Sequence, residues 1–130
     1  MSLARNLRRT PLRAVLMLAL ALVLTGCLNL GDREAPIPTE RIGEADLKTL
    51  VIVLPGRADN VEVMRELGVA EAIQAGWPEV DVLLTSATLA YYTDGQLPQR
   101  LRRQIIEPAR AEGYQRLILM GASMGGMGSL

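Results

Sequence analysis

Histidine is absent from this 130-residue chain, and so is phenylalanine. Cysteine, tryptophan and lysine occur once each, the lysine at Lys48, and aromatics make up 3% of residues. Each gap excludes a chemistry. A lone Cys27 rules out an internal disulfide, and without histidine there is no usual zinc or haem ligand set, so no metal or organic cofactor is implied. No imidazole is available as a general base. Acidic residues are missing from the first 26 positions, which hold Arg5, Arg8, Arg9 and Arg13. The remainder therefore carries ten Lys+Arg against fourteen Asp+Glu, about −4. A mildly acidic body lacks the clustered positive charge that binding phosphates needs, so nucleic acid is not an expected partner. No apolar run reaches the ~20 residues of a membrane-spanning helix. The length allows one small domain.

What is present begins with an export pattern. A basic stretch over residues 1–13 precedes the eleven-residue apolar run Ala14 to Leu24, AVLMLALALVL, and then Thr25-Gly26-Cys27. A positive segment, a short apolar segment and small residues describe a secretory signal. Leu24-Thr25-Gly26-Cys27 resembles the bacterial lipoprotein lipobox. The resemblance implies cleavage before Cys27, diacylation of its thiol and acylation of the new N-terminus. Two or more acyl chains anchor stably where one is marginal. Leu28 stands where inner-membrane retention usually has Asp, which by the same resemblance points to outer-membrane sorting in the cell envelope. An uncleaved signal anchor, or an ordinary signal with an incidental cysteine, is the alternative. Arg8-Arg9-Thr10-Pro11 matches a twin-arginine signal only in part, because Pro11 takes an apolar position.

Residues 27–47 read as a lipidated N-terminus and exposed linker, since Gly31, Pro36, Pro38 and Gly43 break any period. An edge strand in this stretch is disfavoured by Pro36-Ile37-Pro38. The folded domain is expected over residues 48–130. Lys48 to Leu54 is a β-branched apolar run suited to a central strand buried on both faces. Pro55 to Asn60 is a loop, with Asp59 or Asn60 capping a helix from Val61. Gly68 interrupts that helix, and a second short one runs to Gly76. Val80 to Thr85 is a strand, and the stretch through Tyr91, Tyr92 and Gly95 is irregular. A helix then begins near Pro98, with Leu97, Leu101, Ile105 and Ala109 inward, Arg100, Arg102, Arg103 and Arg110 solvated, and a kink at Pro108. Gln115 to Met120 is the last strand. The alternation predicts an α/β fold, three parallel strands with flanking helices, and an apolar sheet edge left open after the third.

That last strand runs into Gly121-Ala122-Ser123-Met124-Gly125. This is G-x-S-x-G between a strand and a helix start, where a serine sits in strained backbone with its hydroxyl exposed. By composition alone the pattern arises in roughly a few per cent of chains this long. The alternative is a glycine-rich structural turn. Together with Leu54-Pro55-Gly56-Arg57, which matches the loop after the central strand, the elbow makes residues 49–130 resemble the α/β-hydrolase superfamily, in its esterase/lipase-like branch. The resemblance implies a partial α/β-hydrolase fold truncated after the nucleophile elbow. Ser123 would be the nucleophile, and the N–H groups of Met124 and of Arg57 or Gly56 the oxyanion donors. The substrate would be a small-molecule or lipid acyl ester. The pattern also requires an acid and then a histidine after the serine, and neither occurs, since no Asp or Glu follows Glu112.

Three readings follow. The first is the N-terminal part of a membrane-anchored serine hydrolase, inactive alone. The second is an acyltransferase of the same fold, in which an alcohol or amine replaces water. The third is a non-enzymatic lipoprotein or truncated product. Tyr91 and Tyr92, leaving a strand's C-terminal end, either line the acyl or alcohol site, serve packing, or belong to a surface loop.

Overall fold

Side chains alternating along one strand set the architecture. In the computed structural model, which describes Met17, residues 34–44 and residues 48–130, strand β2 (Thr49–Leu54) is buried throughout. Leu50, Ile52 and Leu54 point into one apolar cluster, and Val51 and Val53 into another on the opposite face. Such two-sided burial requires helices on both faces, and the chain supplies them. The result is a mixed α/β unit built on a four-stranded sheet.

Two helices follow β2 directly. Helix α1 (Val61–Glu66) and helix α2 (Val69–Gly76) cover the valine face through Val61, Met64 and Ala70. Asn60 caps α1: its side-chain oxygen accepts from the Val63 N–H at 2.8 Å, and Ser86 Oγ accepts from the Val61 N–H at 2.9 Å. Two N–H groups that a helix start leaves unpaired are thereby satisfied. Strand β3 (Asp81–Thr85) is followed by the short helix α3 (Leu89–Tyr92), where the sequence suggested irregular chain.

The opposite face is covered by α4 (Leu97–Leu101), a π-helical turn (Arg102–Ile106) and α5 (Glu107–Glu112) in succession. Leu97, Leu101, Ile105 and Ala109 all bury into the leucine-face cluster. A strict spacing of four drifts around an α-helix, which turns every 3.6 residues. The wider π turn takes back that drift and keeps the four side chains on the sheet. It also lies just before Pro108, which has no N–H for the helical ladder and whose ring would crowd the preceding turn. Arg102, Arg103 and Arg110 are exposed, but Arg100 is not. It reaches Asp94 Oδ2 at 3.3 Å, and its guanidinium lies 5.9 Å from the Tyr91 ring centre.

Strand β4 (Arg116–Gly121) and helix α6 (Met124–Gly128) complete the unit. The strand order is β1-β3-β2-β4, where β1 is Thr39–Ile42. β2 pairs in parallel with β3 and with β4, and β1 pairs antiparallel with β3. Strand β1 corrects the linker reading of this stretch. Pro36 and Pro38 precede the ladder instead of standing in it, so their missing N–H groups cost no sheet hydrogen bond. Ile37 is buried in the core, and the Pro38 carbonyl accepts from the Ser86 N–H at 2.8 Å.

A polar network ties β1 down at its far end. The Tyr114 hydroxyl donates to Asp81 Oδ2 at 2.5 Å, and Arg41 pairs with Glu112 at 2.7 Å while lying 5.4 Å from the Tyr114 ring centre. Burial, then the hydrogen bond to Asp81, push the Tyr114 hydroxyl up to about 12.

Candidate active site

The chain leaves β4 at Gly121 and turns through Ala122 and Ser123 into α6. Ser123 has φ 55° and ψ −119°, the one positive φ on a non-glycine among the described residues. A side chain in such backbone costs about 1–3 kcal/mol and persists only where the surroundings enforce it.

The two flanking glycines show what enforces it. A Cβ on Gly121 would fall on the Gly125 carbonyl, and a Cβ on Gly125 would fall on the Leu54 carbonyl. Helix α6 therefore starts in direct backbone contact with the ends of β4 and β2, an approach no other residue permits. The turn is closed by the Gly125 N–H donating to the Ala122 carbonyl at 3.0 Å and the Met127 N–H to the Ser123 carbonyl at 3.3 Å. Ser123 is exposed at the turn's outer side, whereas Met124 is buried. Met124 is the first residue of α6, and first-turn N–H groups have no partner within their own helix. A donor is thus available beside the Ser123 hydroxyl.

The loop after β2 meets this turn. A Cβ placed on Gly56 would lie 2.7 Å from Asp59 Oδ2 and 4.0 Å from the Ala122 carbonyl oxygen, so Gly56 lies against both. The Asp59 N–H donates to the Gly56 carbonyl at 3.2 Å, folding the loop back on itself. Arg57 is exposed on the same sheet edge. Gly56, Gly121, Ser123, Met124 and Gly125 are thus gathered at the carboxyl ends of parallel strands, where ligands collect in open α/β sheets. In chemical terms the turn offers an exposed hydroxyl and backbone donors for an adjacent oxyanion. It offers no proton acceptor of the usual kind, because the chain has no histidine.

The two tyrosines separate. Tyr91 is a packing residue: it is buried, and its hydroxyl donates to the Ala35 and Pro36 carbonyls at 3.1 and 3.3 Å. Packing was one of the sequence-based alternatives for this residue, but its partners were not legible, because they lie more than fifty positions away in a segment read as linker. Tyr92 lines an apolar groove of about 630 Å³ with Leu97, Leu101, Leu119 and Met127. Its hydroxyl is buried without a hydrogen-bond partner among the described residues, and burial raises its pKa.

Cys27 and the export signal, apart from Met17, lie outside the described residues. No helix among the described residues is long and apolar enough to cross a membrane, and no group of three His, Cys, Asp or Glu there could hold a metal ion. No protein-family model, curated protein or solved structure matches this chain.

Proposed function

We propose that Ser123 is the nucleophile of a serine hydrolase of the α/β-hydrolase type, acting on ester or related acyl bonds and tethered to the cell envelope through a lipidated Cys27. The observation that carries this reading is the backbone of Ser123, held at φ 55° by glycines that admit no side chain. Strain of that kind collects where a reactive group must be presented. A glycine-rich turn serving structure alone would need no serine in it.

In the proposed reaction Ser123 Oγ attacks the acyl carbonyl carbon while its proton passes to a base. The carbonyl oxygen, now carrying the charge, takes hydrogen bonds from the Met124 N–H and from the Arg57 or Gly56 N–H. One such donor typically contributes about 2.7–4 kcal/mol to the transition state. The tetrahedral intermediate collapses, the alcohol leaves with the proton, and water then releases the acid from the acyl-serine. The histidine that would be that base is not among these 130 residues, and no acid to orient it follows Ser123 in them. Residues 48–130 accordingly represent the first part of the hydrolase sheet, inactive alone.

The coding sequence downstream of Leu130 tests the reading. A further ~80–120 codons in frame, within the usual domain size and encoding an Asp or Glu and then a His, would support it. A natural stop directly after Leu130 would overturn it in favour of a non-enzymatic lipoprotein.

A further inference from the structure

The amino ends of the strands, about 20 Å from the elbow by the length of a six-residue strand, carry a second concave site. Strands β2 and β4 begin side by side there, with Thr49 and Arg116 as register partners. Side chains alternate along a strand, so Thr49 shares a face with Val51 and Val53, and Arg116 shares one with Ile118. Those three residues all belong to the valine-face cluster. Helix α2 covers that face and ends at Gly76, and the chain returns to β3 through Trp77, Pro78 and Glu79. The Trp77 backbone is pinned: its N–H donates to the Ile73 carbonyl at 2.9 Å, and its carbonyl accepts from the Val80 N–H at 3.4 Å. Thr49 and Arg116 from the sheet, Trp77 and Glu79 from this return, and the adjoining Lys48 and Gln115 line a cavity of about 340 Å³.

The bonding state of these side chains points to a ligand. Thr49 is only 8% exposed, yet its hydroxyl makes no hydrogen bond among the described residues. The Arg116 guanidinium, the Glu79 carboxylate, the Gln115 amide and the Trp77 indole N–H are likewise without a hydrogen-bond or ion-pair partner among the described residues. Arg116 and Glu79 thus line one cavity with opposite charges and do not meet. A guanidinium only donates and a carboxylate only accepts, whereas an amide and a hydroxyl do both. The occupant that satisfies them all presents hydroxyls to Glu79, Gln115 and Thr49, a carboxylate to the fork of Arg116, and an apolar face to the indole. A phosphate would offer Glu79 nothing to accept, and a plain carboxylate would leave Trp77, Gln115 and Glu79 unused.

We propose that this cavity binds a sugar bearing a carboxylate, its ring laid on Trp77, its carboxylate paired with Arg116 and its hydroxyls bonded to Glu79, Gln115 and Thr49. The volume suits one such ring, at the small end of the range of ligand pockets. The site stands at the opposite end of the sheet from Ser123 and is independent of the reading of that serine.

Trp77 is the single tryptophan, so its fluorescence reports this cavity in the full chain without any substitution. Titration with D-glucuronate should give a saturable change. D-Glucose, which lacks the carboxylate, should bind about tenfold or more weakly, the loss expected for a hydrogen bond to a charged group. Acetate at the same concentrations should give no change. Arg116→Gln, at an exposed side chain, should weaken glucuronate binding by the same factor while leaving the circular dichroism spectrum as in wild type. Calorimetry on Trp77→Ala, which removes the aromatic face but not the charges, should register no binding. Absence of a saturable response to glucuronate, an equal response to acetate, or a Kd unmoved by Arg116→Gln would overturn the proposal. Undiminished binding by Trp77→Ala would overturn it as well, because the ring would then have no place on the indole.

Discussion

Gly125 lies so close to the Leu54 carbonyl that a Cβ at position 125 would occupy the same space. This contact joins the first turn of α6 to the end of β2, and with it fixes the backbone of Ser123. Gly125→Ala must push the helix off the sheet and should lower stability by about 1–3 kcal/mol, as overpacking does. Gly126→Ala, whose Cβ would come no nearer than 3.3 Å to the Gly121 carbonyl oxygen, should be the milder change. Urea titrations followed by Trp77 fluorescence measure both, and equal midpoints for the two variants would refute the contact.

Relief of strain should be measurable at Ser123 itself. Glycine accepts φ 55° without penalty, so Ser123→Gly should stabilise the fold by about 1 kcal/mol, the released strain less the added unfolded-state entropy. A destabilised variant would mean that the turn stores nothing. The wild-type chain, lacking a histidine, should resist labelling by a fluorophosphonate. Strong labelling abolished by Ser123→Ala would show that these residues suffice to activate the hydroxyl.

The Tyr114–Asp81 hydrogen bond gives a pH signature. The Tyr114 hydroxyl is raised from 10.0 to about 12 in the fold, so folding favours its protonated form. That stability is fully present below pH 10 and is lost as pH rises toward 12, because the unfolded tyrosine ionises first. The difference in denaturation midpoint between wild type and Tyr114→Phe should therefore be constant below pH 10 and close between 10 and 12. A gap that persists at pH 12 would remove Tyr114 as its source.

The two sheet edges differ in protection. Both edge strands pair on one side only, but β1 presents Glu40 and Arg41, whereas β4 leaves Met120 43% exposed. An apolar open edge invites pairing with other chains. Met120→Lys should slow aggregation, measured by light scattering at constant unfolding midpoint, and Glu40→Gln should not.

Much of this was legible in one dimension, and the reasons are local. The β-branched run from Leu50 to Leu54 can be satisfied only by burial on both faces, and the Gly-Pro punctuation set where strands gave way to helices. Asn60 capped α1 because its short amide reaches the Val63 N–H three positions on. The G-x-S-x-G spacing announced a tight strand-to-helix turn, since only glycine leaves room for it. The absence of histidine, equally, follows from composition alone.

Tertiary structure decided what depends on distant partners. Proline suggested that residues 36–42 stay outside the sheet, yet Thr39–Ile42 pair with β3 because Pro36 and Pro38 both precede the ladder and Tyr91 holds the segment from more than fifty positions away. Arg100 reads as a solvated cation but is drawn onto Asp94 and the Tyr91 ring. The period of four from Leu97 to Ala109 became a π turn only because one face had to remain on the sheet. Residue types and their spacing determined the elements and the elbow. Which edge of the sheet receives the incoming chain was decided by contacts that no local pattern encodes, since they form only once the strands have assembled.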